Sequence, residues 1–107
     1  MTNTHFDDRY AKFLTGAQKI VDDFYAARFP NLKPSVLSTH IGRRYVKVIT
    51  TNQGGEGQRS VWAFIDKTNG DVLKPASWAA PAKHARGNIY NADNGLGNVS
   101  WTGPNYL

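Results

Sequence analysis

The chain contains no cysteine, which excludes disulfide frameworks, zinc ribbons and thiol nucleophiles and fits a reducing compartment. No apolar run approaches the roughly 18 to 20 residues of a membrane span, so no association with a membrane is expected. The opening MTNTHFDDRY has neither a basic start nor an apolar stretch. It does not read as a signal peptide, and the expected location is the cytoplasm. Negative charge is also scarce: eight Asp and Glu stand against thirteen Lys and Arg, a net charge of +5. The deficit is uneven. Residues 1–23 carry Asp7, Asp8, Asp22 and Asp23 against Arg9, Lys12 and Lys19, a net of −1. From Arg28 onward ten Lys and Arg oppose Glu56, Asp66, Asp71 and Asp93, a net of +6. A basic portion beside a near-neutral one is the footprint of a polyanion-binding surface.

Catalytic patterns are missing as well. The Asp-Asp pairs fall within a helical pattern, where neighbouring side chains diverge by about 100° and do not converge on one substrate atom. His5, His40 and His84 are far apart and show no metal-ligand spacing. GGEG lacks the Lys-Ser/Thr of a phosphate loop and joins two strand-like runs, so it reads as a flexible turn. Ser77, His84 and Asp71 or Asp93 are the residues from which a hydrolytic site would have to assemble. No enzyme, cofactor or metal is expected.

What is present describes one domain, residues 1–107, with an ordinary hydrophobic fraction of 40% and a charged fraction of 20%. Phe6, Tyr10, Phe13, Ala17, Ile20, Phe24 and Ala27 recur at steps of three and four, and Leu14, Val21 and Tyr25 widen the stripe. That spacing predicts an amphipathic helix of about 22 residues whose apolar face covers a sheet. Thr4 and Asp7 resemble a capping box, and Pro30 and Pro34 end the helix near Arg28. SVLSTHI, RRYVKVITT, RSVWAFIDK and DVLK read as strands, with Asn69-Gly70 as a hairpin turn. In the second run Arg44, Val46, Val48 and Thr50 alternate with Arg43, Tyr45, Lys47 and Ile49, so one face is apolar and the other basic and aromatic. In the third, Trp62 and Phe64 alternate with Val61, Ala63 and Ile65, and either set suits the core. The expected fold class is α+β: a long N-terminal helix on a three- to four-stranded antiparallel sheet, followed by an irregular tail. Within that tail, short structure is limited to a helical turn near PAKHAR and a strand at NVSW.

The segment KPASWAAPAKHARGNIY, residues 74–90, combines cations, stiffening prolines and large aromatics without an acid. Two readings stand. It is a strap that fastens the tail to the sheet, with Trp78, Tyr90 and Trp101 packed inward. Or it is a ligand loop, since cations release counterions from phosphates while an aromatic face stacks a base. The candidate contacts are Arg43, Tyr45, Lys47, Lys74, Trp78, Lys83 and Arg86, and Arg59 would extend the same surface. The expected partner is single-stranded or duplex nucleic acid. The alternative is an acidic protein partner.

VWAFIDKTNGDVLKPASWAAPAKHARGNIYN, residues 61–91, resembles small proteins of tailed bacteriophages. These share a strand, a G-D-V/I turn, an A-S-W or K-S-W and a P-x-K-x-x-x-G-N/T run. The resemblance covers under a third of the chain and implies a phage protein acting in the cytosol of an infected cell, without assigning an activity or a site; the alternatives to nucleic acid then become an acidic host or phage protein, or a structural place in a virion. The order of a helix and three strands also resembles the double-stranded-RNA-binding fold. PAKHARGNIYNADNG is too short and glycine-rich for the closing helix of that fold, so the likeness is one of topology.

Overall fold

Helix α1 (Thr4–Arg28) follows from the aromatic spacing. The computed structural model describes residues 4–106, Thr4 by its backbone alone. The capping box expected at Thr4 therefore lies outside the described residues. Phe6, Phe13, Ala17 and Val21 are buried, with Tyr10, Leu14 and Tyr25 packed at their margin. Beyond Phe13 the stripe advances by fours rather than by mixed steps. A step of four overshoots the 3.6-residue turn, so the stripe winds around the helix. Ile20 and Phe24 are left half-buried and Ala27 in solvent. The helix ends before Pro30, with the Phe29 amide still donating to the Tyr25 carbonyl at 2.7 Å.

Five strands then form an antiparallel meander in sequential order: β1 (Val36–Ile41), β2 (Tyr45–Thr51), β3 (Arg59–Asp66), β4 (Asp71–Pro75) and β5 (Pro81–Asn88). A single helical turn, α2 (Asn52–Gly55), joins β2 to β3 through left-handed Gln53 and Gly54. At the Asn69-Gly70 turn only Gly70 takes positive φ, +83°. The sheet has a strand more than expected, because residues 81–88 pair with β4 instead of forming a helical turn or an irregular tail. The late strand near NVSW exists as β6 (Val99–Ser100), paired with β7 (Gly103–Pro104) in a small hairpin beside the main sheet. β7 packs on β3 and β4.

Cross-strand register separates the two faces. On the helix side, Ile41, Val46, Ile65, Val72 and Gly87 share one row and Thr39, Val48 and Ala63 the next, with Ile41 at the end of β1 left exposed. The opposite, outer face carries His40, Lys47, Phe64, Leu73 and Ala85 across all five strands. In β3 the choice between two alternating sets is resolved by a β-bulge. Val48 pairs with Ala63 but Ile49 pairs with Val61, which leaves Trp62 as the extra residue. Trp62 thereby joins Ala63 and Ile65 beneath the helix, 2% exposed and edge-on to Phe13 at 6.1 Å. Its indole N–H donates to the Trp101 carbonyl at 3.1 Å. Phe64 stays on the outer face.

Candidate nucleic-acid interface

β2 presents Tyr45, Lys47 and Ile49 outward because Val46 and Val48 take the helix side and successive side chains alternate. Ile49, Phe64 and Leu73 are buried on this outer face although no helix covers it. Tyr45 stands edge-on to Phe64 at 5.8 Å, and the Lys47 ammonium lies 5.8 Å from the centre of the Phe64 ring. These side chains make an apolar floor with polar ends.

Over that floor leans the β4–β5 hairpin tip, Ala76–Ala80. The Ala76 and Ser77 amides both donate to the Ala80 carbonyl, at 3.0 and 3.1 Å. The Ser77 hydroxyl accepts from the Ala79 and Ala80 amides. A tip closed in this way holds Trp78 outward, 49% exposed. The Lys47 ammonium lies 4.6 Å from the Trp78 ring centre, and the Arg59 guanidinium 5.9 Å from it. Since β2 and β4 are two strand spacings apart, about 10 Å, this contact requires the tip to fold back across β3. Lys74–Tyr90 is therefore a strand, a folded-back tip and a second strand. Its tip both covers the floor and exposes an indole.

Two carboxylates share the outer face, and both are engaged. Asp66 accepts from the Thr68 hydroxyl at 2.6 Å and the Thr68 amide at 2.9 Å, and meets the Arg44 guanidinium at 3.3 Å. Burial alone would push the Asp66 carboxyl up, but the Thr68 bonds and the Arg44 charge outweigh it and hold the group below its ordinary value. Asp71 accepts from the Asn88 amide at 3.0 Å. Among the described residues, Lys47, Arg59, Arg43 and Lys83 have no carboxylate partner.

The seven residues singled out from sequence divide three ways. Tyr45, Lys47 and Trp78 come together on the outer face. Arg43, in the β1–β2 turn, and Lys83, on β5, are exposed, and neither side chain makes a hydrogen bond among the described residues. Lys74 and Arg86 are taken up by the C-terminal segment on the helix side of the sheet. The Lys74 ammonium donates to the Pro104 carbonyl at 3.1 Å and lies 4.1 Å from the Tyr106 ring centre. Arg86, 8% exposed, donates to the Asn105 carbonyl at 3.1 Å and the His84 carbonyl at 2.6 Å. Trp101 stacks on Phe24 at 4.1 Å, on the helix side rather than with Trp78.

Arg44 was absent from the sequence-derived set, yet its guanidinium lies 5.3 Å from the Tyr45 ring centre. The alternating pattern assigned it to the apolar face, but β2 begins only at Tyr45 and the alternation does not extend to it. The residues of a hypothetical hydrolytic site are bound elsewhere: Ser77 in the tip, Asp71 to Asn88, and Asp93 to the Gly95 and Gly97 amides. The three histidines are exposed, and no group of metal-ligating side chains occurs among the described residues. No helix is long and apolar enough to cross a membrane among those residues.

A family model described as a family of unknown function (DUF7717) matches residues 9–107, and the chain belongs to that family. No curated protein and no solved structure matches it.

Proposed function

We propose that this protein binds single-stranded nucleic acid across the outer face of its sheet. The observation that carries the reading is Trp78: a half-exposed indole held at a hydrogen-bonded tip between Lys47 and Arg59, with Tyr45 and Arg44 toward the other end of the same face and Arg43 in the adjoining turn. An exposed aromatic plane stacks an unpaired base, and the surrounding cations take the flanking phosphates. Binding transfers Lys47 from the ring face to a phosphate and frees that face for the base. A duplex keeps its bases stacked on each other and offers the indole nothing comparable. Lys74 and Arg86 are left to a structural role, and Lys83 to the rim.

The test is fluorescence anisotropy with a labelled single strand and a duplex of the same sequence over a range of salt. The single strand should bind more tightly. With three or four cations each releasing a counterion, log affinity should fall against log salt with a slope of about −2 to −3. Trp78→Ala should weaken binding by about 1–3 kcal/mol. Absence of binding at low ionic strength defeats the proposal.

An acidic protein partner would use the same cations. It would be identified by a partner retained from bacterial lysate after nuclease treatment, with no binding of the labelled strands. The likeness of residues 61–91 to small tailed-phage proteins supports a setting in the cytoplasm of an infected bacterium. Mass spectrometry of purified particles distinguishes that setting from a place in the virion.

A further inference from the structure

The end of β3 that carries Arg59 borders a second cleft. Pairing between β3 and β4 covers only Phe64 and Ile65, so residues 59–63 are not paired with β4. One cleft, of about 320 Å³, lies between Arg59–Val61 and the Trp78 tip. The other, of about 390 Å³, lies between the C-terminal half of α1, the β2–β3 turn and Trp101. Arg59 and Ser60 line both. A ligand lying on the Trp78 face thus reaches the second cleft within a residue or two of β3.

The chemistry of the second cleft differs from that of the cationic face. Trp62 and Trp101 form part of its wall, and Thr50, Asn52, Gln58 and Ser60 supply hydroxyls and amides. None of those four side chains makes a hydrogen bond to another described residue, in contrast to Ser35, which is bonded to Tyr25 at 3.1 Å. No carboxylate lines the cleft, and Arg59 is its one charged group. Neutral donors and acceptors beside aromatic rings match a flat heterocycle with N–H and C=O groups on its edge. The volume lies near the lower end for small-molecule sites, suited to one nucleoside rather than several.

We infer that this cleft receives a single nucleobase from the strand lying on Trp78, with Arg59 on the intervening phosphate and Asn52 and Gln58 reading the base edge. The inference rests on the single-strand reading above and adds base selectivity to it. The test uses short labelled homopolymers of thymidine, deoxyadenosine and deoxycytidine with the full-length protein and an Asn52→Ala/Gln58→Ala variant. Both side chains are exposed and unbonded, so an unchanged melting temperature is expected. If the double variant loses its melting transition, Gln58→Ala alone carries the test. The wild type should separate the tightest from the weakest homopolymer by about tenfold or more. The variant should bring them to within about twofold of one another, with the weakest unchanged. Equal wild-type affinity for the three, or discrimination that survives the substitutions, overturns the base pocket and leaves the Trp78 face standing. Failure of every homopolymer to bind the wild type overturns both.

Discussion

Replacing Arg86 by alanine separates the two uses a cation can have in this fold. Arg86 is nearly buried, has no carboxylate within ion-pair distance among the described residues, and holds the tail through the Asn105 carbonyl while bonding the His84 carbonyl of its own strand. A hydrogen bond from a charged donor contributes about 1.5–3 kcal/mol, so the two bonds amount to about 3–6 kcal/mol before any cost is set against them. Burying a cation without a counter-ion costs several kcal/mol, and removing the side chain relieves that cost. The balance is a loss of about 2 kcal/mol, or a melting temperature lower by on the order of 10 °C for a domain of this size. Urea titration followed by tryptophan fluorescence measures the loss. Anisotropy with a labelled single strand at a temperature where the variant is folded measures binding, which should change less than about twofold if the residue touches no phosphate. Arg86→Met, which keeps the stem, should recover part of the stability. An Arg86→Ala protein with wild-type stability and a tenfold weaker grip on the strand would refute the assignment and return Arg86 to the binding surface.

Other consequences are as direct. Trp62→Ala should destabilise by about 3–5 kcal/mol, since it empties a buried site and removes the bond to the Trp101 carbonyl; calorimetry or urea unfolding measures it. Gly70→Ala should cost about 1–2 kcal/mol, because the residue sits at φ +83° and a methyl group there meets the Tyr90 ring; thermal melting checks it. The Asp66 carboxyl is held below its ordinary value when folded, so its contribution is fully present above the unfolded value, about pH 4, and disappears as pH falls through the depressed folded value. Asp66→Asn should lower stability at neutral pH and flatten the acid limb of a stability–pH curve; an unchanged acid limb would contradict the Thr68 and Arg44 contacts.

Parts of this architecture were legible because burial imposes a period. Val46 and Val48 against Tyr45 and Lys47 read as two faces since one face had to lie under a helix. The aromatic steps of α1 read as a stripe for the same reason. The bulge at Trp62 was not legible, because Val61, Trp62, Ala63, Phe64 and Ile65 are all apolar and an uninterrupted apolar run hides an inserted residue. β5 was missed because PAKHARGN has neither β-branched residues nor alternation; it is a strand through its pairing with β4, with irregular register at two places. Lys74 and Arg86 looked like partners of Lys83 because they are close in sequence. Their fate was decided by Pro104 and Asn105, some twenty to thirty positions away, and no local pattern carries that information. Asn52, Gln58 and Ser60 belong to a turn and a strand end, where spacing alone gives no sign of a cleft.

A strand with one residue inserted changes phase: whatever precedes the insertion is turned over relative to whatever follows. In β3 that turning point falls at the indole beneath α1, and it decides where the guanidinium three positions earlier emerges. Were the bulge drawn out into regular alternation, with Ala63 and Ile65 held in place and Trp62 paired to Ile49, Arg59 would rotate toward the helix and away from Trp78. Deleting the inserted residue instead would leave Arg59 opposite Thr51 but empty the site beneath α1, so along this strand the placement of a surface cation is tied to the filling of the core.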